Sequence, residues 1–272
     1  MSIVGVTEGF ERGADSPRGF ELVRLLPSGE AEWEVHLCDG AHLHGMWLEA
    51  DPNGDLGLLA SFTGTLQLGG ETFLSRGATD MFMVKVSGTD GRVLWKHVFG
   101  TAADESQDLG LVADDQGSWY AVGEHGGVDF GQGALTPSVF VVKWSAAGDV
   151  LWSKGFGGTS RRDAARRVVI DRNGDPLVFG RLLSPSVAFD GRRVENTEGS
   201  DLYLARLDAK TGAVLAVKTW PAVDAPARAL SIDVASGNVA LGGRFNHELS
   251  LGQARFSARG EDGYFGSVGA VP

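Results

Sequence analysis

The chain has 272 residues, with 40 glycines, 9 prolines, one cysteine and a net charge of −11. That acidity excludes a surface built to neutralise a nucleic-acid backbone, which needs clustered Lys and Arg, and a lone cysteine excludes an intrachain disulfide. The glycine-rich composition carries no apolar stripe of helical period, which sets aside helical bundles and helical solenoids.

In chain order, MSIVGVTEGFERGADS has neither the basic region nor the apolar region of a signal peptide, and no later segment reaches transmembrane length, so no membrane insertion is expected. A longer pattern begins at Phe20 as FELVRLLPSGEAEWEVHL. It returns as MFMVKVSGTDGRVLWKHVFG from Met81, VFVVKWSAAGDVLWSKGFGG from Val139 and LYLARLDAKTGAVLAVKTWP from Leu202. Each copy holds a basic residue (Arg24, Lys85, Lys143, Arg206) and a Gly (Gly29, Gly91, Gly148, Gly212). Four positions after that Gly stands Trp33, Trp95 or Trp152, and Ala216 in the last copy.

Between these segments lie LEADPNGDLGLLASF, LVADDQGSWYAVGE, VVIDRNGDPLVFGR and LSIDVASGNVALGG, each an apolar run, an Asp, a tight-turn pair and a second apolar run. Gly in such a pair accepts the positive φ that a hairpin turn requires. Each repeat of about 60 residues therefore holds two hairpins. Its strands are A (ending at the Asp), B (after the turn), C (the FVVKW type) and D (the VLWSKGF type). Strands such as Val139 to Trp144 are apolar on both faces, so the sheets must be covered twice, as in a β-propeller. Strand D, carrying Lys96, His97, Lys154 and Lys218, suits an outer edge.

The expected fold is all-β, a single β-propeller domain over residues 1–272 with four-stranded antiparallel blades at about 1–40, 41–100, 101–158, 159–221 and 222–272. The first blade lacks A and the last lacks D. A compact five-bladed ring with ragged ends, and part of a larger ring completed by neighbouring blades or by oligomerisation, both fit. A parallel β-helix is the structural alternative.

The succession LW-x-x-x-FGG, VxxD-x-x-G, VxG-x-F and D-x-F-V-x-K resembles the bacterial β-propeller repeat labelled SBBP, and the resemblance covers nearly the whole chain. Proteins with such repeats are abundant in myxobacteria, are mostly predicted to be exported or surface-associated, and mostly have no assigned activity. The resemblance implies a fold and a surface or binding role rather than a catalytic centre. This sequence departs from it in lacking a signal peptide, in longer B-to-C connections and in the missing fourth Trp.

Chemistry-bearing residues are weighed against simpler uses. Asp51, Asp114 and Asp171 could begin a calcium loop, but the distal Glu and helices of that motif are missing, and Asp beside Gly serves a turn. His42 and His44 would share one side of a strand, too few ligands for a metal, and no metal or other cofactor is expected. Cys38 reads as a packed thiol. Trp33, Trp95 and Trp152 recur at one position and are expected to pack between sheets rather than stack on sugars. The D-to-A connections supply Asp104, Glu105 and Asp108, then Arg161, Arg162 and Asp163, then Asp224. With His42 and His44 these form the candidate binding residues of a loop face. The expected function is non-catalytic binding or scaffolding, with a protein or polysaccharide partner and no nucleic acid. The alternatives are a propeller glycoside hydrolase or lyase using acids near the axis, and a subunit of a larger assembly.

Overall fold

In the computed structural model, residues 3–8, 20–103, 109–158, 163–196, 200–223, 228–235, 238–251 and 254–268 are described. They form antiparallel strands and turns, with no helix among them. Two compact units are present, Met1–Gln107 and Asp108–Pro272.

The first unit contains β1 (Ile3–Glu8), β2 (Phe20–Leu25), β3 (Ala31–Ala50), β4 (Leu56–Leu68), β5 (Glu71–Leu74), β6 (Asp80–Val86) and β7 (Val93–Phe99). Their order is β1-β2-β3-β4-β6-β7, with β5 folded back on β4. The repeat predicts separate D and A strands on either side of residue 40. Instead β3 is one strand, paired with β2 through Ala31–Cys38 and with β4 through Cys38–Ala50. The connection CDGAHLHGM contains no proline and turns Cys38 and Ala41 inward, so the ladder continues through it. Its two register shifts flank Gly40 and Gly45, whose φ values of +84° and +45° suit bulges.

The second unit begins with β8 (Leu109–Ala113), β9 (Trp119–His125), β10 (Ser138–Trp144) and β11 (Val150–Phe156), a sheet ordered as the chain runs. Next come β12 (Ala164–Ile170), β13 (Pro176–Leu182), β14 (Ser186–Phe189), β15 (Arg192–Glu195), β16 (Asp201–Leu207) and β17 (Val214–Trp220). Here β12-β13-β16-β17 repeat the four-stranded order, and β14 and β15 form a separate hairpin. The last sheet contains β18 (Ala222–Val223), β19 (Arg228–Ala235), β20 (Asn238–Leu251) and β21 (Ala254–Val268), with β20 paired to the other three.

Two-faced burial follows the strand period of two. On β16, Tyr203, Ala205 and Leu207 enter a core shared with β9, β10 and β11, while Leu202 and Leu204 enter another shared with β20 and β21. Fully burying each of the leucines contributes about 1.5–3 kcal/mol. The C-type strands β6, β10 and β16 are buried almost throughout, whereas the D-type β7, β11 and β17 lie at sheet edges and are half-exposed. Phe265 occupies the position of the buried Met83, Val141 and Leu204, yet is 78% exposed.

The Gly-to-Trp spacing has a packing cause that lies between repeats. Trp152 lies against Gly212 of the following repeat, where an added Cβ would come within 2.7 Å of the indole. Gly91 has the same relation to Trp33, at 3.0 Å. Both glycines also have φ of +70°, so the position suits glycine twice over.

Candidate functional site

The recurrent charged residues come together within each repeat. Asp51 Oδ1 accepts the backbone N–H groups of Asn53 and Asp55 at 2.8 and 3.0 Å, and its Oδ2 faces Lys85 Nζ at 2.9 Å. Asp55 adds a second carboxylate to Lys85 at 3.1 Å. Asp114 holds Gln116 and Ser118 in the same way and faces Lys143 at 3.5 Å. Asp171 holds Asn173 and Asp175, and both carboxylates engage Arg206. The turn therefore uses these oxygens. Where β21 carries Ser267 in place of the basic residue, Asp233 is exposed.

The same cations reach onward. Arg24 Nη1 and Trp33 Nε1 both donate to Gly88 O, the indole at 3.0 Å. Lys143 Nζ and Trp152 Nε1 both donate to Ala209 O, at 3.0 and 3.1 Å. Gly88 and Ala209 are equivalent positions in the C-to-D turn of the next repeat, so cation and indole clasp one repeat to its successor. Trp33 and Trp152 thus pack rather than offering a sugar platform.

Of the predicted loop-face residues, Asp104, Glu105, Asp108, Arg161, Arg162 and Asp224 lie outside the described residues. His42 is exposed on β3, while His44 is held at 2.8 Å from Thr63 Oγ1. Among the described residues, no three His, Cys, Asp or Glu side chains gather to hold a metal. Asp163 turns inward. It is fully buried, and its carboxylate accepts the N–H groups of Leu183 and Ser184 at 2.7 and 2.8 Å and the Ser184 hydroxyl. It ties a D-to-A connection to a B-to-C connection rather than meeting solvent. Burial pushes the Cys38 thiol up to about 12, which leaves it inert.

His125, at the end of β9, is a titratable group the sequence did not single out. Its Nδ1 accepts N–H groups from Gly127 and Val128 at 3.0 Å, and burial lowers its pKa to about 4. The unfolded chain binds this proton below about 6.5, whereas the folded chain resists it until about 4. Stability from His125 is therefore complete above pH ~6.5 and falls by about 3 kcal/mol as pH drops to ~4. Urea unfolding at several pH values checks this, and His125→Asn should remove that part of the pH dependence.

The long B-to-C connections also hold a recurrent element. LQLGG, VDFGQ, VAFDG and LSLGQ share two apolar residues one apart, followed by a turn. Leu66, Leu68, Val128, Phe130, Val187, Phe189 and Leu249 are all buried. In the first unit this element is the β4–β5 hairpin, with Leu74 69% exposed at its end. A cleft of about 340 Å³ lies beside its turn, lined by Val35, His36, Asp39, Gln67, Arg92 and Val93, with Gly69, Gly70 and Gly91 contributing bare backbone. A second cleft of about 310 Å³ borders Thr72, Leu74, Arg76 and Asp80, whose carboxyl is raised by burial.

The VAFDG copy in the second unit carries a carboxylate at this turn. Asp190 stands where the first unit has Gly69, with similar φ values of 47° and 56°. Its carboxylate accepts the N–H of Val214 at 2.9 Å and faces Lys154 at 3.9 Å. Val214 and Lys154 correspond to Val93 and Val35, so at these positions the first unit has neither the carboxylate nor its cation; Lys96 there donates instead to Gly69 O at 3.3 Å.

No family model and no curated protein matches the chain. Among solved structures it is similar to polysaccharide lyase Uly1, at 7% identity and a TM-score of 0.51 over 98% of this chain and 56% of that one. It also aligns with a protein of unknown function from Dyadobacter fermentans (12% identity, TM-score 0.31, 76% of each chain). A third match is the GH43 β-1,3-galactosidase BT3683 (11% identity, TM-score 0.35, 84% of this chain and 75% of that one). The chain spans about half the length of the lyase, and that likeness shows the fold alone.

Proposed function

We propose that the chain is a non-catalytic binding module, built as a β-propeller of four-stranded blades and presenting its connections to a protein or polysaccharide. Five blades, incomplete at first and last, account for the strand types found. Successive sheets that share cores through alternate residues support the propeller reading, as does the fold likeness to the lyase. The resemblance to surface-associated bacterial repeats supports placing the partner outside the cell.

The observation that carries the binding reading is the contrast between frame and connections. Lys85, Lys143, Arg206 and their aspartates are engaged with one another, and Asp163 is engaged with backbone, so the recurrent charge is structural. The B-to-C hairpins, on the same frame, differ from copy to copy in turn residues and exposure. Fixed scaffolds with variable connections are where recognition resides. A glycoside hydrolase or lyase instead requires carboxylates free to act on substrate. Prolonged incubation with soluble polysaccharides, followed by size-exclusion chromatography and a reducing-end assay, separates the two. Unchanged polymer length is expected, and new reducing ends or unsaturated products would overturn the non-catalytic reading.

A further inference from the structure

The cleft beside Gly69 and Gly70 has a chemistry narrower than that of a general binding surface. Its charged side chains already have partners: Asp39 Oδ2 lies 2.8 Å from His36 Nε2, Arg92 Nε lies 3.5 Å from Asp90 Oδ2, and the neighbouring Lys96 lies 2.9 Å from Glu71. A site for an anionic or cationic ligand would instead present an unengaged charge of the opposite sign. Gln67 is oriented by the Thr72 hydroxyl, which donates to its Oε1 at 2.9 Å and so turns the amide NH2 the other way. Donors and acceptors of both kinds thus stand beside the aliphatic surfaces of Val35, Leu37 and Val93. That pairing suits a neutral polyhydroxylated ring, whose hydroxyls need donors and acceptors and whose C–H face needs an apolar wall. The volume, about 340 Å³, is at the lower end for ligand sites.

We propose that this cleft is a subsite for one or two residues of a neutral polysaccharide. The proposal rests on the binding-module reading and narrows its ligand. The VAFDG copy suggests the variant: there Asp190, in the place of Gly69, accepts the Val214 N–H and faces Lys154, which stands in the place of Val35. Transplanting those residues should close the cleft.

The test is affinity electrophoresis of the full chain through gels containing dextran, laminarin, mannan, xylan or galactan, with alginate as a polyanionic control. The wild type should be retarded by at least one neutral polymer and not by alginate. Val35→Lys with Gly69→Asp should weaken that retardation at least tenfold while leaving the melting midpoint near that of the wild type. His36→Ala with Gln67→Ala, which keeps the backbone and the core, should do the same and serves if the first variant does not fold. Retardation by none of the neutral polymers, or by alginate alone, would overturn the neutral-sugar assignment. Equal retardation of wild type and folded variants would overturn the site while leaving the binding module standing. Polymer cleavage would instead count against the module itself.

Discussion

Lys85→Met is expected to lower unfolding free energy by about 3–5 kcal/mol, because it strands a buried carboxylate. The side chains of Lys85 and Asp51 are 5% and 0% exposed, and the ammonium is the ion-pair partner of Asp51 Oδ2. Burial alone would depress the Lys85 pKa, but Asp51 and Asp55 outweigh it and hold the ammonium above the ordinary lysine value. The ammonium is thus kept charged at neutral pH, and removing it leaves the buried Asp51 side chain without its partner. Asp51→Asn combined with Lys85→Met should recover part of the loss, since both charges then disappear. Guanidinium unfolding of the two single variants and the double variant measures the coupling, and additive losses would show that Lys85 and Asp51 act separately.

Trp152→Ala should cost a similar amount, about 3–5 kcal/mol, for a different reason. The indole is buried between Tyr120, at a ring distance of 5.9 Å, and Gly212 of the next repeat, so truncation opens a void between two sheets. Trp152→Phe retains most of that volume and loses the hydrogen bond to Ala209 O. Lys143 still donates to that carbonyl, which limits the expected cost to about 1 kcal/mol. Denaturant midpoints followed by far-ultraviolet circular dichroism distinguish the two. Equal losses for Ala and Phe would place the value of the residue in its N–H rather than in its ring.

The strands were legible in the sequence because each carries its own signal: alternating or continuous apolar runs, and Asp and Gly at the turns. The unbroken β3 was not legible, because nothing local distinguishes CDGAHLHGM from a loop. It is the continued pairing with β4 that makes it a strand. Lys85 and Asp51 were each visible as recurrent residues, but their contact crosses strands separated by a hairpin. The clasp from Trp152 to Ala209 crosses from one repeat to the next. The B-to-C hairpins were obscured by unequal lengths, although LQLGG and VAFDG show the shared spacing once Gly69 and Asp190 are set side by side. The cleft was not legible, because its lining comes from β3, the β4–β5 turn and the segment at Gly91–Val93, which are far apart in sequence.

The most direct test of the division between frame and recognition is neutral-polysaccharide retardation measured in parallel on the wild type, Trp152→Phe and the Val35→Lys, Gly69→Asp variant. Trp152→Phe, less stable but folded, should be retarded as the wild type is, and the variant with the closed cleft should migrate freely. Loss of retardation in folded Trp152→Phe, or its persistence when the cleft is closed, would contradict the account.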